Sequence, residues 1–190
     1  LGHASALLVV STINLHQVPH MVQQLGMSLE AAGGIVAFMM VACIVGRLAG
    51  GFLADRIDKK LVLVACMLGH TLGILFLAYA QNIAQLLIYG AFHGLAWGAR
   101  APPQQAIRAD YFGRASYGTI MGFSSVVITL GVVSAPVFAG WMADVHGDYQ
   151  VAFTILAVLT SLGSLFFVFA RKPMQPTQPG ISDAHKQQIE

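Results

Sequence analysis

Between Gly46 and Lys60 the chain reads Gly-Arg-Leu-Ala-Gly-Gly-Phe-Leu-Ala-Asp-Arg-Ile-Asp-Lys-Lys. An apolar, glycine-rich run enters this stretch from Val36, and another apolar run leaves it at Leu61. Hydrocarbon offers the backbone no hydrogen-bonding partner, so two long apolar runs flanking a short charged turn predict a helical hairpin across a bilayer, with the turn outside it. Arg56, Lys59 and Lys60 assign that turn to the cytoplasmic side, because basic residues accumulate there.

The rest of the chain agrees. Only 9% of its residues are charged while 56% are hydrophobic, and the mean hydropathy is +0.70. Soluble domains carry about 25% charged residues, so the chain is predicted to be an integral protein of the cell (plasma or inner) membrane. The net charge of +2 does not call for a nucleic-acid partner, since nearly every Lys and Arg stands at one end of an apolar span. Cys43 and Cys66 lie inside spans, where they act as small hydrophobes. Neither a disulfide framework, a metal site nor a cofactor is expected. The chain starts on Leu1 and turns apolar almost at once, without the pattern of a signal peptide. It is expected to be a fragment that begins within or just before a membrane helix.

Six apolar segments follow one another, each near the roughly 20 residues that a span needs. They cover about residues 1–17, 29–52, 61–80, 82 to the Pro102-Pro103 break, 117–142 with a kink expected at Pro136, and 151–170. Residues 1–172 thus form an all-α, six-helix transmembrane unit, and the polar, proline-bearing residues 173–190 a disordered cytoplasmic tail. Arg56, Lys59, Lys60, Arg108, Arg114, Arg171, Lys172 and Lys186 all fall on one side, whereas the connections at 16–30, 79–82 and 143–150 have no Lys or Arg. Both the tail and the basic loops are therefore assigned to the cytoplasm. Gly51-Phe52-Leu53-Ala54-Asp55 recurs as Gly140-Trp141-Met142-Ala143-Asp144, three spans later and hence on the opposite side. Two inverted three-helix repeats are the construction of many secondary transporters.

With these elements in place, Gly51 to Lys60 resembles the loop signature of the major facilitator superfamily, Gly-x-Leu-Ala-Asp-Arg-x-Gly-Arg-Lys, with Asp58 standing where the family usually has glycine. The chain resembles the C-terminal half of a twelve-helix transporter of that family. Two passages are similar to monocarboxylate porters and their bacterial branch of oxalate–formate exchangers: His16 to Ser28, and Ala106 to Arg114 followed by Gly118 to Gly122. In those porters the second helix of this half carries an arginine four residues before the signature glycine, and Arg47 matches it. The aspartate often found four residues earlier is replaced by Cys43. The resemblance thus implies an anion-binding element without the proton-coupling one. It also implies that Gly51, Asp55, Arg56, Lys59 and Lys60 form a conformational latch.

Charged groups at membrane depth are costly and face a cavity or a partner. Arg47 lies eight residues before Asp55, about 12 Å inward at 1.5 Å per residue, and Arg100 lies eight residues before Arg108. Both are candidates to hold a substrate carboxylate through the guanidinium fork. The alternative is that they snorkel to the interface or neutralise helix-end carbonyls. All acidic residues fall in connections, at span ends or in the tail, so a substrate anion would supply the missing charge. On the fourth span Gly90, Gly94 and Gly98 form a stripe that admits a close neighbour. Tyr89, His93 and Trp97 occupy the adjoining face and either line the path or pack between helices. Asn14 and His16 are weaker candidates, and His70 is expected to be structural.

The function expected is secondary active, alternating-access transport of a small organic anion, a mono- or dicarboxylate, by symport or antiport, with an N-terminal six-helix half as partner. The alternative is a self-contained six-span homodimeric carrier or channel. An enzyme is not expected, because no paired intramembrane carboxylates, metal-ligand cluster or nucleophile–base motif is present.

Overall fold

The computed structural model describes residues 2–112 and 117–169. These form six long helices: α1 (Gly2–Pro19), α2 (Leu29–Ala54), α3 (Lys59–Ala78), α4 (Ile83–Phe112), α5 (Tyr117–His146) and α6 (Gln150–Val168). A π-helical turn, His20–Gln24, extends α1. Of these helices, α2, α3, Met121–His146 of α5, and α6 are long and apolar enough to cross a membrane. The remaining two, α1 and α4, carry the polar side chains discussed below.

Local chemistry sets the helix ends. Ser28 caps α2 by accepting from the Ala31 N–H at 3.2 Å. Asp58 caps α3 by accepting from the Lys60 N–H at 2.8 Å, with φ at −53°. The position where the family signature has glycine therefore needs no left-handed backbone here, and an aspartate there serves as a helix cap. At the start of α4, Asn82 accepts from the Gln85 N–H at 3.0 Å while the Gln85 side chain accepts from the Gln81 N–H at 2.6 Å, a reciprocal cap. The turns before α2 and α6 pass through Gly26 and Gly147, both at positive φ.

The expected break at Pro102-Pro103 does not occur, and α4 continues to Phe112. The N–H groups that these prolines lack would have met the Gly98 and Ala99 carbonyls. Helix α4 is held between α2 and α3, and the Ala99 carbonyl packs on Gly50 of α2. Neighbouring helices thus keep the path helical where the sequence alone would end it. Pro136 is likewise inside α5, which runs on to His146. The carbonyl it leaves unpaired, that of Val132, lies 3.3 Å from the Ser11 hydroxyl of α1.

Packing follows a two-fold pattern. Helix α4 lies against α2 and α3, α1 lies against α5 and α6, and α3 meets α6. Exchanging α1 with α4, α2 with α5 and α3 with α6 maps this set onto itself, as two inverted three-helix repeats require. Directions alternate accordingly. The starts of α1 and α3 meet the ends of α6 and α4 in the pairs Gly2–Phe167 and Lys59–Asp110. At the opposite end the last turn of α1 meets Pro136 of α5, Tyr149 before α6 and Tyr89 of α4. The tightest seam joins α2 to α4. A Cβ on Gly94 or Gly98 would overlap the Met39 or Cys43 carbonyl, and one on Gly46 or Gly50 would overlap the Leu95 or Ala99 carbonyl. The glycine stripe seen in the sequence is therefore one side of a reciprocal pair, and it draws the two backbones into contact.

Candidate functional site

Tyr89, His93, Arg100 and Gln104 share the face of α4 that turns into the bundle, and all four are buried. At one end of this column the Tyr89 hydroxyl donates to Gln17 Oε1 and lies 3.3 Å from Met39 Sδ. Gln17 in turn reaches Asn14 Oδ1 at 3.5 Å. One turn along, His93 packs on Tyr89 with ring centroids 5.6 Å apart and on His70 of α3 at 4.6 Å. The Nδ1 atoms of His70 and His93 are 3.2 Å apart, so one ring donates and the other accepts. Further along, Arg100 Nη1 donates to His3 Nδ1 at 2.8 Å. A guanidinium has no acceptor, which places the His3 proton on Nε2. Nε2 of both His70 and His93, Nε of Arg100 and Oε1 of Gln104 have no hydrogen-bond partner among the described residues.

The two arginines singled out in the sequence thus sit in different surroundings. Arg100 is 3% exposed and engaged with α1. Arg47 is exposed on α2, with no hydrogen bond or ion pair to any described residue. Its flank of the helix matters. An apolar groove of about 710 Å³ opens between α2, α3 and α4, lined on α2 by Gly46, Ala49 and Leu53. At 100° per residue Arg47 falls on the other flank of the α2–α4 seam. Trp97, half-buried against the core, projects from the α4 flank opposite the groove residues Phe92, Leu95 and Ala99.

Asn14 is exposed, whereas His16 is half-buried and bonded on both ring nitrogens. Its Nε2 donates to the Pro136 carbonyl at 2.9 Å and its Nδ1 lies 3.2 Å from the Tyr149 hydroxyl. At the charged loop, Asp55 is exposed at the end of α2 and Gly51 is half-buried with open space where a Cβ would be. Arg56 stacks over the Phe52 ring at 3.5 Å. Lys59 pairs with Asp110 of α4 at 2.6 Å, and Lys60 lies beside them. Asp110 had carried no role in the sequence reading. His3, Gln17 and Gln104 were missed as well. Gln104 follows Arg100 by one helical turn, a spacing that became visible only once α4 was seen to run through the prolines. Arg114, Arg171, Lys172, Lys186 and the tail lie outside the described residues.

Comparison with known proteins places these features in context. The sequence profile of the Major Facilitator Superfamily matches residues 1–189. A multidrug resistance protein MdtG from Salmonella arizonae is 31% identical over 164 residues, covering 84% of this chain and 40% of that protein. A multidrug resistance protein B homolog from Mycobacterium tuberculosis is 31% identical over 122 residues, covering 64% of this chain and 23% of that protein. The crystal structure of a mutant of the peptide transporter POT in complex with alafosfalin superposes with a TM-score of 0.77 at 20% identity, covering 99% of this chain and 42% of that one. At that identity the likeness concerns the fold. The chain spans about two fifths of the length of the MdtG and POT proteins.

Proposed function

Since the chain belongs to the major facilitator superfamily, a family of multi-pass membrane transporters, we propose that it is the C-terminal six-helix half of an alternating-access carrier for a small organic anion. A mono- or dicarboxylate is the favoured cargo, moved by symport or antiport. The missing N-terminal half covers the flank that bears Arg47, and the Lys59–Asp110 end and the C-terminus face the cytoplasm.

The observation that carries this reading is Arg47. A guanidinium within a span is costly unless it faces a water-filled cavity or a polar partner. This one is exposed, has no partner among the described residues, and lies on the flank of the seam away from the apolar groove. Arg100 acts from inside the bundle as a fixed positive charge and not as a direct ligand, because His3 and the core enclose it. In the cycle, a substrate carboxylate bridges Arg47 to groups of the other half, and the two halves rock around it. The Lys59–Asp110 pair, with Arg56 on Phe52, holds the end of α4 to the α2–α3 loop and moves with this half as one body.

A second reading has its own support. Relatives at 31% identity carry multidrug names, and the groove between α2, α3 and α4 is almost wholly apolar, which suits an amphiphilic compound better than a carboxylate. A competition panel separates the two, with the complete transporter in proteoliposomes and carboxylates, sugars, amines and lipophilic cations set against a labelled substrate. The anion reading predicts competition by carboxylates alone. It also predicts at least about a tenfold loss on Arg47→Ala and a clear loss on Arg47→Lys, which keeps charge but lacks the fork. Competition by lipophilic cations with normal uptake by Arg47→Ala would give the second reading first place.

A further inference from the structure

The π-helical turn His20–Gln24 at the end of α1 contains a hydrogen-bond count that does not close with a neutral imidazole. His20 is 2% exposed. Its Nε2 lies 3.0 Å from the Leu77 carbonyl of α3, and its Nδ1 lies 2.6 Å from Gln24 Oε1. Both neighbours are acceptors. A neutral imidazole has one N–H and one lone pair, so either tautomer turns a lone pair against an oxygen. Rotating the Gln24 amide only moves the conflict. Gln24 Oε1 also accepts the Tyr149 N–H at 3.1 Å, and a turned amide would set its NH₂ against that donor. The arrangement in which all three contacts are hydrogen bonds has a proton on each nitrogen of His20.

His16, one turn earlier, shows the contrast. It faces one carbonyl and one hydroxyl, a pairing that a neutral ring satisfies. Among the described residues, the groups packed around His20 bring no carboxylate into contact with it. Helix α3 presents the Leu77 carbonyl, and the α6 side presents Tyr149 and Phe153 edge-on at centroid distances of 6.0 and 5.3 Å. Burial, with Asp144 of α5 behind it, pushes the Tyr149 phenol up, so its hydroxyl stays a donor toward His16. Asp148 is occupied in capping the Gln150 N–H at 2.9 Å.

We propose that His20, framed by Leu77, Gln24 and Tyr149, is a proton-binding site that joins the end of α1 to α3 and to the start of α6. The proton comes from water at that end of the bundle, where Gln23 and Gly26 are exposed, and goes onto the imidazole lone pair. When it leaves, Nδ1 and Gln24 Oε1 repel each other, the amide turns, and the Gln24–Tyr149 link is lost. The link therefore depends on the second proton of the ring. Its use as a coupling site in transport rests on the reading of the chain as half of a carrier, but the protonation of the ring does not.

The test is ¹⁵N NMR of histidine-labelled complete transporter in nanodiscs, titrated between about pH 5 and 8, with His20→Gln identifying the signal. The expected result is a His20 ring with two protonated nitrogens. Gln24→Glu keeps the ring and places a carboxylate on it, so the second proton should be held more tightly than beside Gln24. A single-tautomer ring throughout the range, or a titration indifferent to Gln24→Glu, would overturn the proposal. A doubly protonated His20 in a protein that ignores carboxylates leaves this site standing and removes the anion reading instead.

Discussion

At Gly98 a hydrogen stands where a methyl group would overlap the Cys43 carbonyl, and at Gly33 the same methyl group would meet nothing within 4 Å. The two glycines look alike in the sequence and differ wholly in what they hold together. Gly98→Leu should force the α2–α4 seam apart at a cost of about 1–3 kcal/mol or more. Gly33→Ala should stay within about 0.5 kcal/mol, or stabilise slightly through helix propensity. Thermal unfolding in detergent measures both, and equal shifts would contradict the seam. The spacing of Gly90, Gly94 and Gly98 was legible as a close-approach stripe. Its partner stripe was not, because Gly46 and Gly50 lead into a charged loop signature that accounts for them in another way.

Among the helices, α4 is the one the sequence described least well. Two adjacent prolines end an isolated helix, yet here packing on α2 and α3 carries it thirteen residues past Ala99 to within reach of the α2–α3 loop. This continuation sets Asp110 on Lys59. With side chains 32% and 48% exposed, the pair should contribute little to stability, under about 1 kcal/mol, and its effect should fall on the rate of conformational exchange. Lys59→Asp and Asp110→Lys should each slow transport with little change in melting temperature, and the double exchange should restore it. Failure of the double variant to recover would assign Lys59 another partner. Helix starts were read to within about two residues, since Ser28, Asp58 and Asn82 mark them locally. The inward polar column was only partly legible. Tyr89 and His93 stood out by spacing, while His3 and Gln17 reach it from α1, and no sequence period reports contacts between distant helices.

In the molecule as a whole, the two-fold packing sets the first helix of each three-helix repeat, α1 or α4, against the two apolar helices of the other repeat. That arrangement turns the inverted echo of Asp55 and Asp144 into a statement about sides. Cysteines placed at Lys59 and at Asp148 of the complete transporter should be labelled from opposite faces of the membrane, and labelling from one face would refute the inverted repeat. In the proposed carrier Arg47 faces water between the two halves and not lipid. Arg47→Cys, treated with a membrane-impermeant thiol reagent in proteoliposomes, tests this directly. The predicted result is labelling that a carboxylate substrate slows and a sugar does not. A cysteine at position 47 that never reacts, or reacts at the same rate with and without carboxylate, would contradict it.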